Sequence, residues 1–265
     1  MRIVCAIQSR MGSTRLRKKA LRKISGRTVT EQIFRRLKAA KEIDEIVLAA
    51  PDTKENNVLI KHAKEIGLNY CRGSENDIIS RLYGVAKEFE ADALVRITGD
   101  SPLIDPKIVD KMVNIYRKNY KKIDFLTNNF PLTLPDGLDF LIISISIVKQ
   151  LMTEIKDPFY REQFVYYILE NSKKFRNYHW ENLVNLSFLR LVLDYPEDLV
   201  LTRKIFKALD KKNKVFTMED ILNFLKKNPS LLEINAKRID WTTVVKSISR
   251  TYSKLKKEEV KRILV

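Results

Sequence analysis

The sequence predicts an α/β fold built on a mostly parallel sheet. Short apolar runs that suit buried strands alternate with amphipathic patterns of helical period through the first half of the chain. Repeated strand–helix units of this length favour a doubly wound sheet with helices on both faces. The chain has 265 residues, which is enough for one large domain, or for one domain with an appendage.

The first half of the chain is predicted to alternate regularly. Strands are expected at residues 3–8, 45–49, 68–71 and 93–98. Helices are expected between them at residues 28–40, 54–66, 77–89 and 106–116. Val29, Ile33 and Leu37 fall on one face of the first helix, and Gly67 is placed to end the second.

The pattern becomes irregular after residue 127. A loop rich in proline leads to predicted strands at 138–144 and 189–193, with helices near 160–171 and 198–209 and a helical pattern from 217. We predict one domain over residues 1–236, within which about 131–185 forms a smaller region. A basic tail follows over 237–265, with apolar residues at helical spacing: Val244, Ile248, Tyr252 and Leu255. A helix packed on the domain and an interaction helix for an acidic partner are the two interpretations of this tail.

The composition limits the setting of the protein. Fifty Lys and Arg against 33 Asp and Glu give a net charge of +17, spread along the whole chain. This charge permits nucleic-acid binding but is no evidence for it, because no recognisable nucleic-acid motif accompanies it. Cys5 and Cys71 show no metal-site spacing and are expected to be core residues in a reduced compartment. With no signal peptide or membrane helix expected either, the sequence favours a cytoplasmic protein without membrane insertion.

The segment after the first predicted strand combines a glycine, two hydroxyls and five cations. It contains Gly12, Ser13 and Thr14 together with Arg10, Arg15, Arg17, Lys18 and Lys19. In open α/β sheets ligands usually bind at the carboxyl ends of the strands, where this segment would lie. Backbone N–H groups near a glycine, hydroxyl donors and forked guanidinium groups suit phosphate oxygens. We therefore predict that residues 8–19, the phosphate loop, bind a polyphosphate, and that this loop is neither a P-loop nor a dinucleotide fingerprint. A solvated basic loop is the alternative.

Two aspartates each follow a predicted strand. Asp100 comes after Gly99, which lets the chain turn sharply, and Asp194 ends the apolar run at 189–193. An aspartate beside the phosphate loop suits Mg²⁺, which usually binds one or two carboxylates together with substrate phosphates. From the residues alone, Asp100 stays open between a metal ligand and a turn residue. Asp194 is better read as an N-cap or turn residue before the helix that Pro196 opens.

These segments together resemble the spore coat polysaccharide biosynthesis protein F family. Its members are relatives of the cytidylyltransferases that activate N-acylneuraminate and 3-deoxy-manno-octulosonate. The likeness runs through residues 7–16, 72–75, 95–105, 135–139, 160–162, 193–199 and 216–236. It implies a nucleotide-diphospho-sugar transferase-like α/β/α sandwich. It also implies an Mg²⁺-dependent enzyme that makes a CMP-sugar and pyrophosphate from CTP and a sugar acid.

The resemblance also implies roles for individual residues. The triphosphate would be held by Arg10, Gly12, Ser13, Arg15 and Lys19, of which Arg10 and Lys19 would act in catalysis with Asp100. Asp100 and Asp194 look like the two aspartates that bind Mg²⁺ in the family, which reverses the interpretation of Asp194 from the residues alone. The nucleoside would contact Arg72 and Ser80. The sugar would meet Asp136, Asp139, Arg161 and Glu162, with Arg161 as the candidate for the acceptor carboxylate.

The chain departs from the family pattern at three places. Arg17 and Lys18 replace a proline and a glycine in the phosphate loop, Phe140 and Leu141 follow Asp139 where an acidic residue is common, and Gln163 replaces a histidine. The leading hypothesis is a cytidylyltransferase for surface polysaccharide synthesis, expected to be a homodimer through about 131–185. Another nucleotide-sugar enzyme on the same scaffold is the second hypothesis. A non-catalytic basic protein that binds nucleic acid or a partner is the third.

Overall fold

A seven-stranded mixed sheet lies at the centre of the protein, whose computed structural model describes residues 1–211 and 214–254, the last five by their backbone only. The strands in chain order are β1 (Ile3–Gln8), β2 (Lys23–Ile24), β3 (Arg27–Thr28), β4 (Glu45–Pro51), β5 (Asn69–Gly73), β6 (Ala93–Thr98), β7 (Phe125–Thr127), β8 (Leu141–Ser144) and β9 (Asn177–His179). The order across the large sheet is β5-β4-β1-β6-β8-β7-β9, and β2 and β3 form a separate hairpin.

Strand β1 lies in the middle of the parallel part of the sheet. Its Ala6 pairs with Val47 on one side and with Arg96 on the other. Strand β8 runs antiparallel to β6 and β7, and β9 pairs parallel with β7 at the edge. The prediction of a mostly parallel sheet is confirmed, with one reversed strand that the sequence did not indicate.

Helices cover both faces of the sheet. They are α1 (Val29–Leu37), α2 (Asn57–Glu65), α3 (Ile78–Glu88), α4 (Pro106–Asn119), α5 (Ile145–Glu154), α6 (Pro158–Glu162), α7 (Phe164–Glu170), α8 (Pro196–Leu209), α9 (Met218–Lys227) and α10 (Trp241–Lys254). One core contains Ile3, Cys5 and Ile7 of β1 with helices α1, α2, α4, α8 and α9. The other contains Val4 and Ala6 with α3, α5 and α7. Alternate residues of β1 therefore belong to opposite cores, as expected for a strand buried on both faces.

Several boundaries predicted for strands and helices are confirmed, and the structure shows the physical reason for them. The strands at 3–8 and 93–98 have the bounds that the apolar runs predict. Helix α2 ends just before Gly67, whose φ of +67° is the left-handed conformation typical of a residue that terminates a helix. Cys5 and Cys71 are free and buried, as predicted, and burial raises the pKa of both thiols.

Other predicted elements are wrong in extent or in type. Residues 189–193 form no strand in the described part of the chain and share only an isolated bridge between Arg190 and Asp136. Their donors go to loops instead, with Leu193 N–H bonded to the Asp100 carbonyl at 2.8 Å. The strand at 138–144 begins only at Leu141, because Leu138 still belongs to the turn that starts at Pro135, and its last residue, Ser144, caps the unpredicted helix α5. The helix at 160–171 is divided at Gln163 into α6 and α7.

The basic tail begins as helix α10, which contacts the domain. Val244 and Ser247 are each 3% exposed, and the Ser247 hydroxyl donates to the Leu132 carbonyl at 2.5 Å. The predicted apolar position Leu255 lies outside the described residues, as does the Tyr252 side chain. No helix in the described ranges has the length and apolar character needed to span a bilayer.

Candidate active site

The segment after β1 lines a cleft of about 330 Å³ at the carboxyl end of the sheet. Met11 and Leu16, 9% and 5% exposed, anchor the segment in the core, and Met11 N–H donates to Asn56 Oδ1 at 2.9 Å. Because its apolar residues are buried in the core, the segment presents its polar groups to the cleft. Those that line it are Ser9, Arg10, Gly12, Ser13, Thr14, Arg15 and Lys19.

The turn that presents Lys19 is made without the proline and glycine of the family pattern. Lys18 takes the left-handed conformation, at φ 55° and ψ 35°, and begins a short 3₁₀ helix over Lys19–Leu21. This conformation costs a residue with a Cβ roughly 1 kcal/mol or more. The turn therefore survives the substitution, with some backbone strain at Lys18.

Replacing Lys18 by glycine is expected to stabilise the protein. Relief of the left-handed strain exceeds the extra unfolded-state entropy of glycine, so we expect Lys18→Gly to raise the free energy of unfolding by about 0.5 kcal/mol. Denaturant unfolding checks this, with Lys18→Ala as the control that removes the same charge and keeps the Cβ. Equal midpoints for the two variants would contradict the explanation.

Gly99 brings the end of β6 against the phosphate loop. Its N–H donates to the Gln8 carbonyl at 2.8 Å, and a Cβ at this position would lie 2.5 Å from Ser9 Oγ. Only glycine fits so close to the neighbouring chain. Asp100, the next residue, is thereby placed at the floor of the cleft.

Asp100 and Asp194 meet at a single ammonium group. Lys19 Nζ lies 3.1 Å from Asp100 Oδ2 and 2.8 Å from Asp194 Oδ1. Arg15 Nη2 lies 2.9 Å from the other oxygen of Asp194. Burial acts to raise the pKa of Asp100, but Lys19 and a hydrogen bond from Thr98 outweigh it, so this pKa lies below its ordinary value. The prediction that Asp100 lies beside the phosphate loop is confirmed.

The position of Asp194 depends on Asp198. The carboxylate of Asp198 is almost fully buried and accepts the backbone N–H groups of Asp194 and Tyr195, each at 2.9 Å. Its two oxygens also accept Nε and Nη2 of Arg190, at 3.0 and 2.9 Å. Asn235 Nδ2 donates to it at 2.8 Å. Tyr195 is the N-cap of α8, so Asp194 is not the N-cap, and of the two roles expected from the residues alone only that of a residue in the turn before the helix fits its position.

The donor set suits a hard divalent cation. Two carboxylates converge on one cationic group, and carboxylate oxygens are the ligands that such cations prefer. No cluster of three or more His, Cys, Asp or Glu residues able to hold a metal occurs in the part of the chain that the structure describes. A metal here would therefore complete its coordination with phosphate oxygens and water, as Mg²⁺ usually does.

The four residues that the resemblance assigns to the sugar lie in different places. Glu162 lines the cleft beside Gln163. Arg161 Nη1 lies 3.3 Å from Asp77, and its Nη2 donates to the Met152 carbonyl. The two carboxylates of the 136–139 turn line an adjoining cavity of about 160 Å³, together with Arg190 and the start of α10.

Asp136 and Asp139 form a pair of buried carboxylates close to Asp100. Burial raises the pKa of both carboxyls. The negative charge of Asp139 raises the pKa of Asp136 further, and the negative charge of Asp100 raises the pKa of Asp139 further. Arg190 Nη1 offsets part of this at Asp136, at 3.1 Å. Gly137, with φ +100°, lets this turn approach the backbone of Val192, which a Cβ would meet at 2.4 Å.

The two residues assigned to the nucleoside lie outside the cleft lining. Arg72 Nε lies 2.8 Å from Asp52, and its Nη2 donates to the Thr53 carbonyl. The Ser80 hydroxyl donates to the Asp77 carbonyl at 3.0 Å, one turn from the start of α3. Ile78 and Arg81 of the same helix line the cleft instead.

Several residues of the site belong to none of the motifs that the sequence shows. Arg96 of β6 lines the cleft, and its Nε donates to Gln8 Oε1 at 2.5 Å. Arg81 is 4% exposed and holds the carbonyls of Ser74 and Glu75. Arg190 joins Asp136 to Asp198. A single arginine inside an apolar run was the available signal for Arg96 and Arg190, because a buried charge needs a partner.

Relatives of known sequence match most of the chain. An uncharacterised protein from Methanocaldococcus jannaschii is 33% identical over 239 residues, which are 89% of this chain and 95% of that protein. The spore coat polysaccharide biosynthesis protein SpsF of Bacillus subtilis is 26% identical over 86% of this chain and 95% of its own length. A 3-deoxy-manno-octulosonate cytidylyltransferase from Pelobacter propionicus is 25% identical over 80% of this chain and 100% of its own.

Solved structures share the fold. A cytidylyltransferase from Leptospira borgpetersenii superposes with a TM-score of 0.84 and 35% identity, over 88% of this chain and 97% of that one. A CMP:2-keto-3-deoxy-manno-octonic acid synthetase in complex with CTP has the same fold, with a TM-score of 0.60 and 16% identity over 78% and 99%. So does a manganese complex of a Mycobacterium tuberculosis protein, with a TM-score of 0.52 and 13% identity over 77% and 99%.

The phosphate-loop cleft, the two carboxylates and the fold agree with one family. The family model described as Cytidylyltransferase matches residues 4–264, almost the whole chain. The protein therefore belongs to the cytidylyltransferase family and is a nucleotidyltransferase that resembles the spore coat polysaccharide protein SpsF.

Proposed function

We propose that the protein transfers the CMP group of CTP to a hydroxyl of a sugar acid of the nonulosonic or octulosonic class. The bond between the sugar oxygen and the α-phosphorus forms as the bond to pyrophosphate breaks. The observation that carries the proposal is the meeting of Lys19, Asp100 and Asp194 at the end of a cleft lined by phosphate-type donors. Names of relatives that act on 3-deoxy-manno-octulosonate support the acceptor class.

In this proposal the phosphate loop holds the triphosphate. Arg10 and Arg15 supply forked donors that are about half exposed and can reach a ligand, while Lys19 supplies a point charge. The hydroxyl of Ser13 and the backbone at Gly12 complete the cradle. Because phosphoryl transfer asks for positioning and neutralisation of charge, these groups favour the step by stabilising the departing pyrophosphate.

Asp100 and Asp194 would hold an Mg²⁺ ion. When bound, the ion would polarise the α-phosphate and offset the charge on the leaving group. Arg15 keeps Asp194 oriented from one side, and the backbone hydrogen bonds of Asp198 fix it from the other. Neither carboxylate therefore has to change its orientation when the substrate binds.

The acceptor would enter from the side of the smaller region. Glu162 already lines the cleft, and the 136–139 turn lies near enough to Asp100 for the charge of Asp100 to raise the pKa of Asp136 and of Asp139. Arg161 would have to leave Asp77 in order to meet an acceptor carboxylate. Arg72 and Ser80 would likewise contact the nucleoside only after a rearrangement, whereas Arg81 and Arg96 lie at the cleft already.

Thermal unfolding with each of four nucleotides tests the proposal. We expect CTP with Mg²⁺ to raise the melting temperature more than UTP, ATP or GTP does, because at equal concentration the ligand that binds the native state more tightly stabilises it more. Pyrophosphate release from CTP should then depend on an added sugar acid, such as 3-deoxy-manno-octulosonate or N-acetylneuraminate. Equal shifts with all four nucleotides would reject the CTP site, and a shift without turnover would favour another transfer reaction on this scaffold.

We also propose a homodimer formed through the smaller region. Phe159 and Tyr166 are 56% and 47% exposed there, and their rings stack with centroids 6.3 Å apart. Exposed aromatic pairs of this kind are common at protein interfaces. The molar mass in solution, measured by light scattering for the protein and for Phe159→Ser, checks it, since a wild-type monomer would reject the dimer.

A further inference from the structure

Lys19 occupies the space between the two carboxylates of the site. Its Nζ lies within 3.1 Å of Asp100 Oδ2 and 2.8 Å of Asp194 Oδ1. The side chains of Lys19 and Asp194 are each 13% exposed, so the contact is largely screened from water. The ammonium group thus stands where a cation bound by both carboxylates would stand.

We propose that Lys19 is an internal counter-ion that keeps a divalent metal out of the site until a nucleotide triphosphate draws it away. The inference rests on the proposed function, because it takes Asp100 and Asp194 as the metal ligands and a triphosphate as the group that attracts Lys19. It goes further in assigning an order: the free protein excludes the metal, and the nucleotide admits it.

The geometry makes the two cations mutually exclusive. An Mg²⁺ or Mn²⁺ ion binds carboxylate oxygens at about 2.1 Å, well inside the distances at which Lys19 Nζ lies from the same oxygens. A divalent ion and an ammonium group so close together would repel strongly in a site with little water. Lys19 must therefore leave before the metal enters.

The two carboxylates differ in what remains after Lys19 leaves. Asp194 keeps Arg15 at 2.9 Å and Arg190 at 3.9 Å. Asp100 has Lys19 as its single cationic partner among the ion pairs of the described residues. Departure of Lys19 thus frees Asp100 above all, while Asp194 stays oriented. Asp100 becomes an acceptor that the metal can use.

The phosphate loop gives Lys19 somewhere to go. Lys19 lines the same cleft as Arg10, Ser13 and Arg15, so phosphate oxygens placed there would offer the ammonium group an alternative partner. Its four-carbon stem can turn without any movement of the backbone. By linkage, a nucleotide that strengthens metal binding must itself be bound more tightly in the presence of the metal, by the same factor.

Direct Mn²⁺ binding to the full chain without nucleotide tests the inference. Free Mn²⁺ is followed by electron paramagnetic resonance for the wild type, Lys19→Met and the double variant Lys19→Met/Asp100→Asn. Lys18→Met is the matched control, since it removes the same charge from the neighbouring exposed position. Lys19→Gln, which keeps a polar group, is the second variant in case Lys19→Met folds poorly by circular dichroism.

We expect Lys19→Met or Lys19→Gln to bind Mn²⁺ about 10-fold more tightly than the wild type, within the usual range of coupling between sites. The control should bind as the wild type does, and the double variant should lose the gain. Addition of CTP should strengthen Mn²⁺ binding to the wild type by much more than it does for Lys19→Met. Because the prediction is a gain in Mn²⁺ affinity, a loss of binding caused by damage to the fold cannot be mistaken for it.

Wild-type affinity equal to that of both Lys19 variants would overturn the inference. So would a gain that the Lys18→Met control shares, because long-range charge would then explain it. Pyrophosphate release by the wild type is measured separately. If the wild type turns over CTP but the Lys19 variants show no gain in Mn²⁺ affinity, only the role of Lys19 is rejected. If the variants show the gain but the wild type shows no turnover, the role of Lys19 is supported and the proposed reaction is rejected.

Discussion

Asp100→Asn is expected to lower CTP-dependent pyrophosphate release by at least about 100-fold, since loss of one well-placed group that stabilises charge in the transition state typically costs this much. The change keeps the shape of the side chain and removes the negative charge that would hold the metal. Asp194 alone would then have to hold the ion, although one of its oxygens is already paired with Arg15. A steady-state assay of pyrophosphate release, with saturating CTP and acceptor, measures the effect.

The fold should tolerate this change. Lys19 keeps its contact with Asp194 at 2.8 Å, and the amide oxygen of the variant can still accept a hydrogen bond from Lys19, so we expect the free energy of unfolding to change by about 1 kcal/mol. Asp92→Asn is the matched control, because Asp92 precedes β6 at the opposite edge of the sheet and is 62% exposed. Undiminished turnover in Asp100→Asn would refute the metal role of Asp100.

Asp198→Ala is expected to destabilise the protein by about 3–5 kcal/mol, the usual cost of removing one partner of a buried ion pair. Asp198 is 1% exposed and accepts five hydrogen bonds, from Arg190 twice, from Asn235 and from the N–H groups of Asp194 and Tyr195. Without it, the Arg190 guanidinium, whose side chain is 9% exposed, keeps only Asp136 and a long contact to Asp194. The melting temperature should fall by roughly 10 °C.

The adjacent carboxylate provides the control for this prediction. Glu197 pairs with Lys237 and Arg238 at the surface of α8, so Glu197→Ala should cost far less stability than Asp198→Ala, because exposed ion pairs contribute little. Thermal and denaturant unfolding of the two variants are compared under the same conditions. If both lose equal stability, the hydrogen bonds of Asp198 are not what holds the Arg190–Asp194 segment in place.

The sequence predicted best the elements that depend on local pattern. The strands at 3–8 and 93–98 are continuous apolar runs, and a strand buried on both faces needs nothing else to be recognised. The phosphate loop and Asp100 could be placed together because both follow parallel strands, whose carboxyl ends meet at one edge of a sheet. The antiparallel β8 was read as a strand, but its direction depends on a partner far away in the chain.

The sequence alone was misleading where a residue type is common in two structural roles, such as helix cap and metal ligand. An aspartate close to a proline that opens a helix is commonly a cap or turn residue, and Asp194 stands two positions before Pro196. The structure gives the cap to Tyr195, because the buried Asp198 takes the N–H groups of both Asp194 and Tyr195. Lys18 shows the opposite case, in which a turn that usually needs glycine is made by a lysine with φ 55°.

By itself, the sequence determined the alternating architecture, the cation-rich loop after β1 and the carboxylate that follows β6, since hydrophobic periodicity and residue type are properties of the local sequence. The tertiary structure alone decided that Lys19 stands between Asp100 and Asp194, that Arg190 joins Asp136 to Asp198, and that Arg72 and Ser80 lie away from the cleft. These pairings connect residues up to 175 positions apart. Which charges pair is decided by packing, because a buried charge takes the partner that the folded chain brings within reach.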